Sequence, residues 1–213
     1  MVIWKKFKEV DGMEMNEQAK TIFTSIDLSN SDRYSKIKSQ MNVFHGKIYR
    51  AFSAKETKKL FCCDDAQQEL RILSEEKPDK VHLAKEFGVR LDDVHCYDYT
   101  SRLDKMVNGK TYRFKLLGNP VKRSVDQKKL VPLWEREECR NWLLSRSESR
   151  GFKVIALNTH FTPTIMGKKT AIHSAMFEGV LEITDETLFR QTVIDGIGHE
   201  RGFGFGMLWT EEI

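Results

Sequence analysis

A length of 213 residues allows one large or two small domains built around a real core. With 40% hydrophobic and 31% charged residues, and no apolar run near the ~18 residues a membrane-crossing helix needs, the composition excludes such a helix and fits a soluble globule with no membrane partner. The net charge of +4 is unevenly spread: Lys110, Arg113, Lys115, Lys122, Arg123, Lys128 and Lys129 stand against Asp126 for a local +6, leaving −2 elsewhere, which excludes a diffuse polycation.

The N-terminus, Met1 to Lys8, is charged and lacks the apolar stretch of a secretory signal. Cys62 and Cys63 are adjacent while Cys96 and Cys139 stand alone, with no Cys-x-x-Cys or paired-His spacing. That pattern argues against a disulfide framework and a zinc site, so buried thiols of a cytoplasmic protein without metal or cofactor are expected. The segment 1–19 has no clean period and reads as an extension.

After Lys20 the chain alternates as a strand from Thr21 through Leu28, and Ser29 to Asp32 supply turn and N-cap chemistry. Ile37, Met41, Phe44, Ile48 and Phe52 then recur at helical spacing, which predicts one continuous helix with a buried stripe. Lys58 to Cys63 and Glu69 to Ser74 predict a hairpin around Asp64-Asp65. Pro78-Asp79 opens a second helix that Gly88 closes, and Val94 to Tyr99 alternates as a strand. The order β-α-β-β-α-β is that of a ferredoxin-like unit over residues 20–105.

Residues 106–213 repeat the plan. Thr111 to Leu117 is a predicted strand, and the basic connection Lys122 to Lys129 leads to Val131. Pro132 is expected to start a helix with Cys139, Trp142, Leu143 and Arg146 on one face, ended by Arg150-Gly151. Phe152 to Phe161 and Thr170 to Ile183 are expected to pair around a turn at Pro163 to Lys169. Asp185 caps a further helix, and Met207 to Trp209 closes the set. The fold class is α+β, two tandem ferredoxin-like (RRM-like) domains. Before the last strand, Gly196 to Gly206 holds five glycines in eleven residues around Arg201. Two readings stand: an anion cradle of backbone N–H groups, or a helix cap running into an edge strand. A dinucleotide-binding oxidoreductase fails on context, because here a helix precedes the glycines and the chain ends beyond them.

Several of these stretches resemble the CasE-type CRISPR-associated endoribonucleases of the type I-E Cascade complex. Tyr112 to Lys122, with its Asn119-Pro120 turn, is similar to the family's strand ending in Asn-Pro-x-Lys. Val131-Pro132-Leu133 resembles the approach to its next helix, Phe177 to Leu181 a core strand, and Gly196 to Leu208 its terminal glycine-rich motif. The N-terminal half is matched by the strand near Thr21 and the helix carrying His45. The resemblance implies an RNA-cutting enzyme that binds a CRISPR repeat stem-loop and works with other Cascade subunits. It implies metal-free attack by the RNA's own 2′-OH, leaving a 2′,3′-cyclic phosphate and a 5′-OH, with His45 at the position of the catalytic histidine.

At ~100° per residue His45 lies roughly 60° from the centre of its helix's apolar stripe, anchored yet reachable. An imidazole there can serve as base or acid; a boundary-position histidine is the plain alternative. The family commonly has a tyrosine one turn earlier, where this chain has Asn42. Tyr49, four residues after His45, is the candidate second group, with Lys38, Lys47 or Arg50 as candidate charges. The other histidines are scattered singly. For RNA binding the candidates are Lys122, Arg123, Lys128 and Lys129 in the basic connection, with Arg201, Gly198 and Gly204 in the glycine stretch, which also reads as packing surface between the halves. A non-catalytic RNA-binding subunit of the same complex is the alternative function.

Overall fold

The computed structural model describes residues 21–37, 40–54, 56–124, 128–167 and 170–213; the extension 1–19, Lys38 and Asp126 lie outside them. The elements run β1 (Ile22–Asp27), α1 (Tyr34–Ile37), α2 (Met41–Tyr49), β2 (Lys59–Asp64), β3 (Glu69–Ser74), α3 (Lys80–Phe87), β4 (Val94–Asp98) and α4 (Thr100–Asp104) in the first half. The second half runs β5 (Thr111–Gly118), β6 (Val121–Arg123), β7 (Leu130–Pro132), α5 (Arg136–Ser147), β8 (Phe152–Gly167), β9 (Thr170–Ile183), α6 (Glu186–Asp195) and β10 (Trp209–Glu212). The sheet orders β2-β3-β1-β4 and β10-β5-β9-β8 follow one scheme, with every pairing antiparallel. Each half thus has the ferredoxin-like topology that its element order predicts.

Local chemistry sets the helix ends. The carboxylates of Asp79 and Asp185 accept from the backbone N–H of His82 and Leu188, and Gly88 and Gly151 close their helices at φ +64° and +78°. The first predicted helix is divided. Gln40 takes a non-helical backbone (φ −131°, ψ 81°), so the chain restarts at Met41, yet Met41, Phe44, Ile48 and Phe52 are all buried as their spacing requires.

Three further expectations need correction. Pro132 does not start α5. It pairs with Val121 in the β6–β7 hairpin, where a proline is tolerated because it has no N–H to leave unpaired, and the helix begins four residues later behind Glu135. The β8–β9 turn is also shorter than expected, since the ladder runs on to Gly167↔Thr170 and includes Pro163↔His173, with Pro163 on the edge strand β8. The last strand is likewise displaced: it begins at Trp209, because Gly206 is held outside the ladder by its N–H to the Leu117 carbonyl.

One core cluster lies between the first sheet and α2 and α3, from Ile26, Leu70, Ile72 and Val94 to Phe44, Ile48, Leu83 and Phe87. A second joins the halves, bringing Phe23, Leu73 and Tyr97 against Phe114, Leu116 and Trp209. The glycine stretch also crosses over: Phe205 is fully buried in the first half's core.

An ionic network is enclosed at the same junction. Arg71, 1% exposed, donates to Glu69 at 2.6 and 2.8 Å and to the Gln67 amide oxygen at 2.9 Å, and faces Asp64 at 3.6 Å. Its guanidinium lies 4.2 Å from the Trp209 ring on β10, and Lys115 on β5 reaches Asp64 at 3.4 Å.

Candidate active site

The site forms where α2 meets the glycine stretch. Met41, Phe44 and Ile48 bury one face of α2, leaving His45 half-buried on its flank with Tyr49 one turn later. The His45 and Tyr49 ring centroids are 4.0 Å apart, and the Phe203 ring stacks on the imidazole at 4.6 Å and 24°. The Nδ1 of His45 lies 2.6 Å from the Gly202 carbonyl oxygen. A carbonyl only accepts, so Nδ1 carries the proton, and in the neutral ring the lone pair sits on Nε2. That tautomer can take a proton at Nε2 or, once protonated, deliver one from it.

Burial raises the Tyr49 phenol above its usual range, so at neutral pH it is an O–H donor rather than a base. A Cβ on Gly202 would stand 3.2 Å from that hydroxyl, a tight contact, and 3.6 Å from the imidazole, an ordinary one. Spacing placed Tyr49 beside His45, and the glycine run marked the stretch that holds Gly202 and Phe203, but nothing in the sequence tied those two to His45, more than 150 positions away. Asn42 is exposed on α2.

Of the proposed charges, Lys47 and Arg50 turn to Glu86 on α3. Lys47 donates to its carboxylate at 2.5 Å, and Arg50 lies 3.5 Å away. The Lys47 hydrogen bond holds the Glu86 carboxyl below its usual range, against the opposing effect of burial. The folded chain therefore binds fewer protons here than the unfolded one. The stabilisation is complete above the unfolded value of ~4.3 and is lost as pH falls through the lowered folded value. Denaturant midpoints measured from pH 6 to pH 3 should fall more steeply for the parent than for Glu86→Gln, which at pH 7 should already have lost on the order of 1 kcal/mol.

Around the C-terminal end of α6 three cations gather. Arg201 is exposed and donates to the Asp195 carbonyl at 2.6 Å, Arg150 donates to the Gly196 carbonyl at 3.2 Å, and Lys58 pairs with the Asp195 carboxylate. Burial and then the charge of Arg201 lower the Arg150 pKa, while the Asp195 carboxylate opposes the shift. Gly198 and Gly204 have positive φ (+93° and +88°), and their α-carbons face Trp142 in one case and Met41 and Phe61 in the other. Gly204 is buried, so its place is in the packing between the halves rather than on an open anion-binding surface.

The basic segment divides in two. Lys110, just before β5, and Arg113 and Lys115 on it are matched with Glu212, Glu211 and Asp64. Lys122, Arg123, Lys128 and Lys129 project from the β6–β7 hairpin and are exposed, with Lys122 meeting Glu138 at 2.7 Å. The hairpin thus carries most of the segment's exposed charge, with Arg113 exposed on β5 as well. Among the described residues, no three His, Cys, Asp or Glu side chains converge as metal ligands would, and no helix is long and apolar enough to cross a membrane.

Comparison with known proteins agrees with this architecture. The chain is 29% identical over 116 residues to the CRISPR-associated endoribonuclease Cse3 of Thermus thermophilus, an alignment covering 47% of this chain and 55% of that relative, so it spans only about half of the relative's length. The structure of Thermus thermophilus Cse3 bound to an RNA representing a pre-cleavage complex superposes with a TM-score of 0.76 at 20% identity, covering 90% of this chain and 99% of the other. The CRISPR-associated protein Cas6e from Escherichia coli K-12 superposes with a TM-score of 0.62 at 19% identity, covering 91% and 100%. These structural likenesses establish the shared fold. The family model described as CRISPR associated protein matches residues 22–210, nearly the whole described chain, and the protein belongs to that family.

Proposed function

We propose that this chain is an endoribonuclease that cuts CRISPR repeat hairpins in precursor CRISPR RNA, without a metal ion, through attack of the RNA's own 2′-OH on the adjacent phosphate. The products are a 2′,3′-cyclic phosphate and a 5′-OH. The observation that carries the reading is the held imidazole of His45, with its proton on Nδ1 directed to the Gly202 carbonyl and its Nε2 lone pair available for proton transfer. Family membership and the likeness to Cse3, an endoribonuclease by name, support it. In this reading the Tyr49 hydroxyl donates to a phosphate oxygen, Arg201 with its neighbours at the end of α6 approaches the RNA backbone, and the β6–β7 hairpin holds the stem. Other Cascade subunits are the expected protein partners.

Asn42, where the family commonly has tyrosine, favours a second reading as a non-catalytic RNA-binding subunit. One experiment separates the two: repeat RNA incubated with the protein in EDTA, beside a substrate carrying a 2′-deoxy sugar at the cleavage position. Cutting of the first and survival of the second is the expected result. Undiminished cutting of the deoxy substrate excludes internal attack, and binding without cutting of either establishes the non-catalytic reading.

A further inference from the structure

Beside the basic hairpin the surface carries an aromatic array that the catalytic reading leaves unused. Trp134, two residues past β7, is 65% exposed, whereas Trp142 and Trp209 are buried at 4% and 5%. Its ring lies 4.2 Å from that of His173 on β9, and Phe161 on β8, 39% exposed, packs on the same imidazole at 5.3 Å. His173 also hydrogen-bonds the Leu133 backbone, which ties the array to the end of β7, and its burial favours the neutral ring at pH 7. What sets this ring apart from a singly exposed apolar residue is that the strands beneath hold it against two further rings.

We propose that Trp134, backed by His173 and Phe161, is a stacking platform for one unpaired nucleobase of the RNA that the hairpin holds, an assignment that rests on the RNA reading given above. The charge is complementary: Lys122, Arg123, Lys128 and Lys129 project from the hairpin whose second strand ends two residues before Trp134. The ring's sequence neighbours Glu135, Arg136 and Glu137 are exposed and charged, so the indole stands as a single aromatic face beside the basic hairpin rather than inside an extended apolar patch. An A-form stem keeps its base faces stacked inside. The partner of an exposed indole is therefore a base outside the stem, and stacking accepts any base identity.

The test uses the full-length protein and two RNAs with a 2′-deoxy sugar at the cleavage position: the repeat stem-loop with single-stranded flanks, and the stem-loop alone. Trp134→Ala should raise Kd for the flanked RNA roughly 5- to 100-fold, with an unchanged salt slope and little effect on the bare stem-loop. Trp134→Phe should restore most of the affinity, and parent tryptophan fluorescence should be quenched only by the flanked RNA. Equal affinities of parent and Trp134→Ala for both RNAs, or equal weakening on both, would overturn the platform. Normal RNA binding by Trp134→Ala with failed assembly into Cascade would reassign the ring to a protein partner. A parent that binds neither RNA would overturn the RNA reading itself, a result distinct from loss confined to the variant.

Discussion

His45→Ala should lower the single-turnover rate of repeat cleavage by at least roughly 10²- to 10⁴-fold, the usual share of a positioned acid or base, while Kd for the repeat changes less than about threefold. The asymmetry follows from where the side chain sits. His45 is half-buried on α2, with its Nδ1 proton tied to Gly202 and its ring between structural contacts, whereas the accessible cations lie on the β6–β7 hairpin and at the end of α6. Removing the imidazole therefore takes away proton transfer at Nε2 and leaves the electrostatic grip intact. Tyr49→Phe separates the roles further. It keeps the ring that packs on His45 but removes a hydroxyl that burial keeps protonated, so about tenfold slower cleavage at unchanged Kd is expected if that hydroxyl donates to the phosphate. Cleavage by Tyr49→Phe at the parent rate would remove Tyr49 from the mechanism, and cleavage by His45→Ala at the parent rate would sink the proposed chemistry.

Much of the fold is legible because local rules act on neighbouring residues. Asp79 and Asp185 announce their helices by a carboxylate placed three residues before a free N–H, Gly88 and Gly151 end helices with a left-handed turn, and the α2 stripe obeys the helical period even though Gln40 divides the helix. What spacing cannot encode is contact between distant segments. The Gly202 carbonyl and the Phe203 ring reach His45 only because Phe205 is drawn into the first half's core, carrying the glycine stretch across the junction. The alternation Glu69-Leu70-Arg71-Ile72 shows the same limit. It reads as one apolar and one solvated face, yet the polar face is covered by the second half, and all four residues are buried. Likewise the local +6 overstates the free charge, because Lys110, Arg113 and Lys115 find acids on other strands.

That covered face carries the largest stability effect expected in the molecule. Arg71→Ala should cost about 3–5 kcal/mol and lower Tm by roughly 10 °C or more. The reason is the imbalance left behind: Asp64 and Glu69, each with a side chain 3% exposed, would keep Lys115, 3.4 Å from Asp64, as their one nearby cation among the described residues, and Trp209 would lose the cation 4.2 Å from its ring. Among the described residues Glu69 would retain the Ser25 hydroxyl, too little for a buried carboxylate. The Arg71→Met, Glu69→Met pair should be far milder than Arg71→Ala, since it removes one charge of each sign and fills the space with apolar atoms. Because β10 and the glycine stretch are continuous, loosening Trp209 should also loosen Gly202 and Phe203 against His45. Arg71→Ala should therefore cleave more slowly even well below its Tm, and the double variant should recover both stability and rate. A double variant as unstable as the single would mean that the cost lies in lost packing of the guanidinium rather than in stranded charge, and recovery of stability without recovery of rate would separate the junction from the active site.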